Sequence, residues 1–362
     1  MTGIERTLAS FRFQPIDRPP VAGGLWNNWR ALADIAGADD FWGEPRKHVF
    51  EAFRRLGCDA ILGPVMPKAP EAETDGVDGR ATGFTHREVE SSITTPEGVA
   101  ELAKQAPSPQ EIRAEFDFQA AYDGYLNLMQ SGQRDAGDML YIPHCLGHAP
   151  HFPTSDGEYT YEAFLMACAL HVNEMTHLFQ AWGERSRCHL EAFAQATVER
   201  GLLRVIWIGQ DICSRRGPML SPALLERLYF PIVRHAIEPL LAAGMKVVWH
   251  ADANYREILP QMIELGLAGF QGFYEEEGGI LFEDLAQTDS AEGNPLILFG
   301  GMSTVTTLPQ ETPDDVRKRV DHCFETVRDR GGLLLAPSSS IGPEAPVENV
   351  IAMYEHANSR PS

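Results

Sequence analysis

Short runs of strand-forming apolar residues alternate with longer stretches of helical periodicity along most of the chain. Val21–Leu25 is the first such run, and a helical segment containing His48–Arg54 follows it, closed by Gly57. Asp59–Leu62 and Met139–Pro143 are the second and third runs. Leu202–Gly209 is the fourth, apolar on both of its faces and so suited to the interior of a parallel sheet. Val247–Trp249, Gly269–Phe273, Leu296–Gly301 and Leu333–Pro337 complete the set. Helical periodicity fills the intervals, at about Tyr161 to Gln180, Arg185 to Arg200, Pro222 to Ala243 behind the N-cap Ser221, and Tyr255 to Leu265 behind Asn254. A last helix starts at Thr312, carries Asp314 and Asp315 in its first turn, where the helix dipole favours them, and stops at Gly331-Gly332.

Eight strands alternating with helices predict an α/β fold, a TIM (β/α)8 barrel formed as a single domain over residues 1–362. A turn or two of amphipathic helix before Pro19-Pro20 makes an N-terminal extension. Residues 66–136 break the rhythm with prolines, charges and one alternating segment around Thr82 to Ile93. They read as an insertion or flap with a small hairpin, followed by helices up to Gly132. Segments of this length either cover a substrate or decorate the far end of a barrel.

Polar residues gather where the strands end. His250-Ala251-Asp252 follows the fifth, Tyr274 and Glu275-Glu276-Glu277 the sixth, Gln210-Asp211 the fourth and Ser338-Ser339-Ser340 the eighth. The C-terminal strand ends of such a barrel share one face, and that face carries the chemistry. Asp211, His250, Asp252 and Glu275 would then meet at one rim. One imidazole and three carboxylates suit a bound cation, or acid and base work without one. The plainer assignments are that His250 ties strand ends together, that the aspartates cap the following helices, that two of the three glutamates are solvated, and that Ser339 satisfies turn backbone. Trp26, Asn28, Arg30, Tyr274, Arg215 and Arg216 are candidate substrate contacts. The segment His144-Cys145-Leu146-Gly147-His148-Ala149-Pro150-His151 holds three histidines and a cysteine within eight residues. It reads either as a transition-metal cluster or as packing and substrate-loop histidines, with His148 as the substrate contact; its glycine and proline leave no helical frame to aim ligands together.

Composition narrows the class. Six scattered cysteines with no CxxC pair suit reduced thiols in a cytoplasm. No apolar run is long enough to span a bilayer, and the N-terminus lacks a signal-peptide pattern. A formal net charge of -21 makes nucleic acid and anionic membranes unsuited partners.

Several segments together resemble one family. ERTLASFRFQPIDRPPV, GPMLSP, HADANYREILPQMIELGLAGFQ, ETPDDVRKRV and GGLLLAPSSSIGPEAPVENVIAM are similar, in order and over nearly the whole chain, to the uroporphyrinogen decarboxylase superfamily. That group holds the true decarboxylases and the corrinoid-dependent methyltransferases. Two departures shape what the resemblance implies. The decarboxylases follow the Arg-Pro-Pro region with an arginine-rich loop that binds substrate carboxylates, whereas here Leu25–Arg30 contains one arginine. The zinc methyltransferases carry a His-x-Cys and a further cysteine in the final loop; His250 is retained, but Asp252 and Ser339 stand at the cysteine positions. The implied metal set is therefore His250, Asp252 and Glu275, a harder site for Zn²⁺ or another divalent ion, or no metal site at all. The implied activity is transfer of a methyl group from a small methylated donor to a corrinoid or similar carrier, with His250, Asp252 and Asp211 catalytic. A separate partner protein would supply the corrinoid, since no Asp-x-His-x-x-Gly segment is present to clasp it. The alternatives are a porphyrinogen-type decarboxylase and a non-catalytic barrel binding a corrinoid or tetrapyrrole. The decarboxylase relatives also imply a homodimer.

Overall fold

The computed structural model describes residues 1–67, 91–153, 156–273 and 279–359. Its parallel strands are β1 (Ala22–Gly23), β2 (Ala60–Leu62), β3 (Leu140–Ile142), β4 (Val205–Gly209), β5 (Lys246–Ala253), β6 (Gly269–Phe273), β7 (Ile297–Met302) and β8 (Leu333–Pro337). All eight apolar runs of the sequence are strands, with helices in the intervals. The described residues fall into two compact units. One is drawn from Met1–His86, Met129–His144 and Gly269–Ser362, the other from Arg87–Leu128 and Cys145–Ala268.

In the first unit β1, β2 and β3 pair in parallel, as do β6, β7 and β8. A parallel bridge between Val21 and Leu335 joins β1 to β8. The strand residues are buried almost without exception, which is why these runs read as continuously apolar. The N-terminal extension is a helix, Gly3–Phe11, opened by a reciprocal capping box between Thr2 and Glu5. It is fastened by charge. Asp59, 3% exposed at the entry to β2, accepts from Arg6 Nη1 at 2.5 Å, Arg18 Nη1 at 2.6 Å and the Val21 backbone N–H at 3.0 Å. Arg6 also reaches Asp17 through Nε at 2.6 Å.

That second contact predicts a pH effect. The Arg6 guanidinium holds the Asp17 carboxyl well below its ordinary value. A depressed folded-state value gives stability that is complete above the unfolded value of about 4 and is lost as pH falls through the lower folded one. Asp17→Asn is therefore expected to lower the urea midpoint at pH 7, and to lower it less near about pH 2. An equal loss at both pH values would remove Arg6 as the cause.

In the second unit β4 and β5 pair in parallel, with Gly209 opposite His250. Four sequence expectations are corrected here. The helices expected at about 161–180 and 185–200 are instead Tyr161–Leu170 and Val172–Arg200, breaking at His171. Gly183, in the gap between the two expected helices, sits mid-helix, where a Cβ would lie 2.7 Å from Ile232 Cβ. The helix behind Ser221 starts as expected, with Ser221 Oγ accepting from Leu224 N–H at 3.3 Å. It then passes through a π turn, Leu225–Tyr229, before Phe230–Ala242. Pro231, lacking an N–H and crowding the preceding turn, accounts for the widened coil. The fifth strand does not stop at Trp249 but runs through Ala253, and the expected helix from Tyr255 is a 3-10 turn, Arg256–Ile258, then Leu259–Glu264. The Asn254 side chain accepts from the Arg256 N–H at 3.2 Å.

After Ile93 the insertion is helical, with Pro96–Lys104, Pro109–Glu115 and Phe118–Ala136. The hairpin expected around Thr82 to Ile93 lies mostly outside the described residues. Among the described residues no helix is long and apolar enough to cross a membrane.

Candidate functional site

The extra length of β5 builds the site. Successive strand residues point to opposite faces, so His250 and Asp252 share one face while Ala251 and Ala253 are buried on the other. The His250 side chain is 16% exposed, and its ring stands edge-on to Trp207 of β4, with centroids 6.0 Å apart. Its two nitrogens face two different carboxylates. Nε2 lies 3.9 Å from Asp211 Oδ1 and Nδ1 lies 3.9 Å from Asp252 Oδ1. Asp211, two residues beyond β4, is itself anchored, its Oδ1 accepting the Asp252 backbone N–H at 2.8 Å. The structure thus brings together three sequence candidates: Asp211, His250 and Asp252. At 3.9 Å each carboxylate is beyond direct hydrogen-bond reach of the ring but within ion-pair distance of it.

Around Asp211 the walls are neutral. Burial pushes the Cys213 thiol up to about 12, and the Asp211 charge adds to the shift. Burial likewise takes the Tyr161 phenol to about 12, with the Cys168, Asp211 and Cys213 sites nearby. Tyr161 donates its hydroxyl to Met219 Sδ. The Tyr229 hydroxyl, also raised by burial, donates to the Pro150 carbonyl at 2.8 Å. All six cysteines are buried. The Asp211 and Asp252 side chains are each 37% exposed, so solvent screens their charges on the open side of the site.

Glu275, with Tyr274, Glu276 and Glu277, lies outside the described residues. Since Asp211 faces Nε2 and Asp252 faces Nδ1, these two carboxylates do not converge on one ion held by His250. Among the described residues no group of three or more His, Cys, Asp and Glu is placed to hold a metal.

The other sequence candidates sit elsewhere. In the first unit, Trp26 is 1% exposed and bridges in parallel to Ile341, two residues past half-buried Ser339. Asn28 caps the helix Trp29–Ala36, its Oδ1 accepting from Ala31 N–H at 3.2 Å. Arg30 is exposed, its guanidinium 4.7 Å from the Trp29 ring centroid. In the second unit, Arg215 and Arg216 are exposed at the turn of a short antiparallel pair, Cys213–Ser214 with Gly217–Pro218. His148 packs against His189 and Phe193, each at 4.8 Å, and burial pulls it down to about 4, with His189 adding to the shift. A neutral imidazole among rings is a packing arrangement.

The sequence did not point to a cavity of about 830 Å³ in the second unit, lined in part by His151, Phe152, Tyr159, Trp182, Arg185 and Gln210. In the sequence Trp182 falls between the two expected helices and Arg185 at the start of the second. The signal for Cys213 was present and went unused: it lies two positions after Asp211.

Eight parallel strands with helices between them, and an imidazole–carboxylate group at the C-terminal end of two of them, define a TIM-barrel protein with a strand-end site. The model of the family described as uroporphyrinogen decarboxylase (URO-D) matches residues 160–360, the stretch that contains Asp211, His250 and Asp252. The chain belongs to the URO-D family. A methyltransferase from Methanosarcina mazei matches over 99% of this chain and 99% of its own, with a TM-score of 0.61 and 19% sequence identity. That likeness shows the fold, an α/β TIM barrel. A protein described as a vitamin-B12 independent methionine synthase from Listeria monocytogenes matches more weakly, over 95% of this chain and 96% of its own, with a TM-score of 0.46 and 14% identity. No curated protein matches the chain by sequence.

Proposed function

We propose that this protein is a cytoplasmic methyltransferase that moves a methyl group from a small methylated donor to a corrinoid, or a similar carrier, on a partner protein. The observation that carries this reading is His250, with one carboxylate facing each ring nitrogen at ion-pair distance, 3.9 Å. Methyl transfer from an ether or amine breaks a carbon–heteroatom bond, and its electron pair stays on the heteroatom, which leaves readily only when protonated. One nitrogen of His250 would deliver that proton while the carboxylate facing the other fixes the ring, the division of labour that positioned acids generally use. Trp207, edge-on to the ring, limits its rotation. The carrier supplies the nucleophile that takes the methyl group.

The second reading, decarboxylation, is favoured by the family match. Against it stands the loop at Leu25–Arg30, where the one arginine is exposed and stacked on Trp29. A many-fold carboxylated substrate needs several cationic partners to offset its desolvation.

The test is direct. Purified protein, given a reduced corrinoid protein and a panel of methoxylated and methylamine donors, is expected to produce the methylcobalamin spectrum. Loss of carbon dioxide from uroporphyrinogen, read as product carboxylate number, would instead establish the second reading. Stoichiometric corrinoid binding without product would make the barrel a carrier or sensor. Metal analysis of the same preparation belongs beside these assays: one equivalent of Zn²⁺ lost in His250→Ala would make His250 a metal ligand, and its loss in Glu275→Ala would do the same for Glu275.

A further inference from the structure

We propose that a cavity in the first unit is a binding site for an amphiphilic carboxylate, a hydrocarbon body carrying one anionic group. The cavity holds about 480 Å³, within the range of small-molecule pockets. Its walls are mainly apolar, formed by Phe13, Pro15, Ile16, Phe324, Val327 and Leu333. It lies at the N-terminal end of β8, where Ser10 Oγ donates to the Leu333 carbonyl at 3.0 Å. The chemistry of such barrels is done at the other end of the strands, so the proposal does not rest on the methyl-transfer reading. One wall residue holds an unusual conformation. Phe13 has a φ of 54°, and among the described residues no other non-glycine has a positive φ. A bulky side chain stays in that region only where its surroundings over-determine it, and such positions collect at ligand sites. Here the Phe13 N–H donates to the Ser10 carbonyl at 3.0 Å. The ring edge lies so near Gly332 that a Cβ there would be 3.0 Å from Phe13 Cε1.

The polar groups at the wall decide the head of the ligand. Arg330 pairs through Nη2 with Asp289, yet its Nε–H is shut off from solvent with no acceptor among the described residues. A buried donor left unmade costs more than an ordinary hydrogen bond contributes, and a ligand carboxylate supplies the acceptor. Arg328, also at the wall, has a loose pairing, 4.0 Å to exposed Glu325. Arg12, beside Phe13 in the chain, is exposed and has no ion-pair partner among the described residues. Against these three cations the described wall carries one acid, Asp329, itself exposed. In a chain with 51 acidic and 30 basic residues, that local excess of arginine favours an anion. A guanidinium N–H with nothing to bind is matched by a carboxylate.

Calorimetry with the full chain would compare three probes of one length: octanoate, octanol and octylamine. Octanoate is expected to bind about tenfold or more tightly than octanol, as a charge-assisted bond gives, and octylamine more weakly than either. Arg330→Gln should bring octanoate down to the level of octanol, with an unchanged circular dichroism spectrum. Ile16→Trp, at a half-buried wall position, puts an indole into the cavity and should abolish octanoate binding. This second variant leaves the Arg330–Asp289 pair in place, so it decides the matter even if Arg330→Gln loses its fold. Equal or tighter binding of octanol or octylamine, no saturable binding of octanoate, or octanoate binding undiminished in either folded variant overturns the proposal.

Discussion

His250→Gln should lower methyl transfer by about two to four orders of magnitude, the usual contribution of a positioned acid, while the protein melts close to the wild-type temperature. The side chain is 16% exposed and its ring is held at its edge by Trp207, so glutamine fills similar space without a titrating nitrogen. The partners separate charge from position. Asp211 Oδ1 accepts the Asp252 N–H at 2.8 Å, and an asparagine at position 211 can still accept that bond through its amide oxygen. Asp211→Asn therefore keeps the backbone geometry and removes the carboxylate. If activity falls in Asp211→Asn nearly as far as in Asp211→Ala, the charge matters; if Asn is near wild type, Asp211 is a backbone clamp. Rates measured across pH would move in the first case and stay fixed in the second. A His250→Gln enzyme with normal turnover would end the assignment of this histidine as the acid.

The largest stability effect is expected far from that histidine, at Asp59. Its carboxylate is 4% exposed and binds both Arg6 and Arg18, whose side chains are 10% and 12% exposed. Removing Asp59 leaves the half-buried Arg18 without its carboxylate and Arg6 with Asp17 alone, and breaking a buried pair in this way costs about 3–5 kcal/mol. Asp59→Ala also strips the acceptor from the Val21 N–H at the head of β1. Urea denaturation should show that loss, whereas Arg46→Ala, in the exposed pair with Asp135, should cost under about 1 kcal/mol. Comparable small losses at both positions would mean that the buried cluster contributes register rather than stability.

How far this was legible in the chain follows from what each feature depends on. The strands were readable because burial on both faces leaves an uninterrupted apolar run, as in Val205–Gly209 and Leu333–Pro337. The end of β5 was not, since His250 and Asp252 look like a loop until the strand's alternation is seen to continue through them. Gly183, in the gap expected between two helices, is a related case. A glycine is punctuation when read locally and a packing choice when Ile232 lies across it, and only the tertiary contact distinguishes the two. At the candidate site the residue types were readable at strand ends, but the facing of one carboxylate to each imidazole nitrogen depends on β4–β5 register. Trp182 and Arg185 carried no signal, because a helix face shows what it lines only once its neighbours are placed.

The burial of every native cysteine has a practical side. Reaction with maleimides requires an accessible thiolate, and burial raises Cys58, Cys145, Cys168 and Cys213 away from that form. The folded protein is thus a silent background for labelling. A single cysteine introduced at exposed Met166 or Leu170, on the helix that begins at Tyr161, would take a dye or spin label with all six native thiols left in place. Ligand entry and carrier docking could then be followed by an optical or magnetic signal in an otherwise unaltered chain.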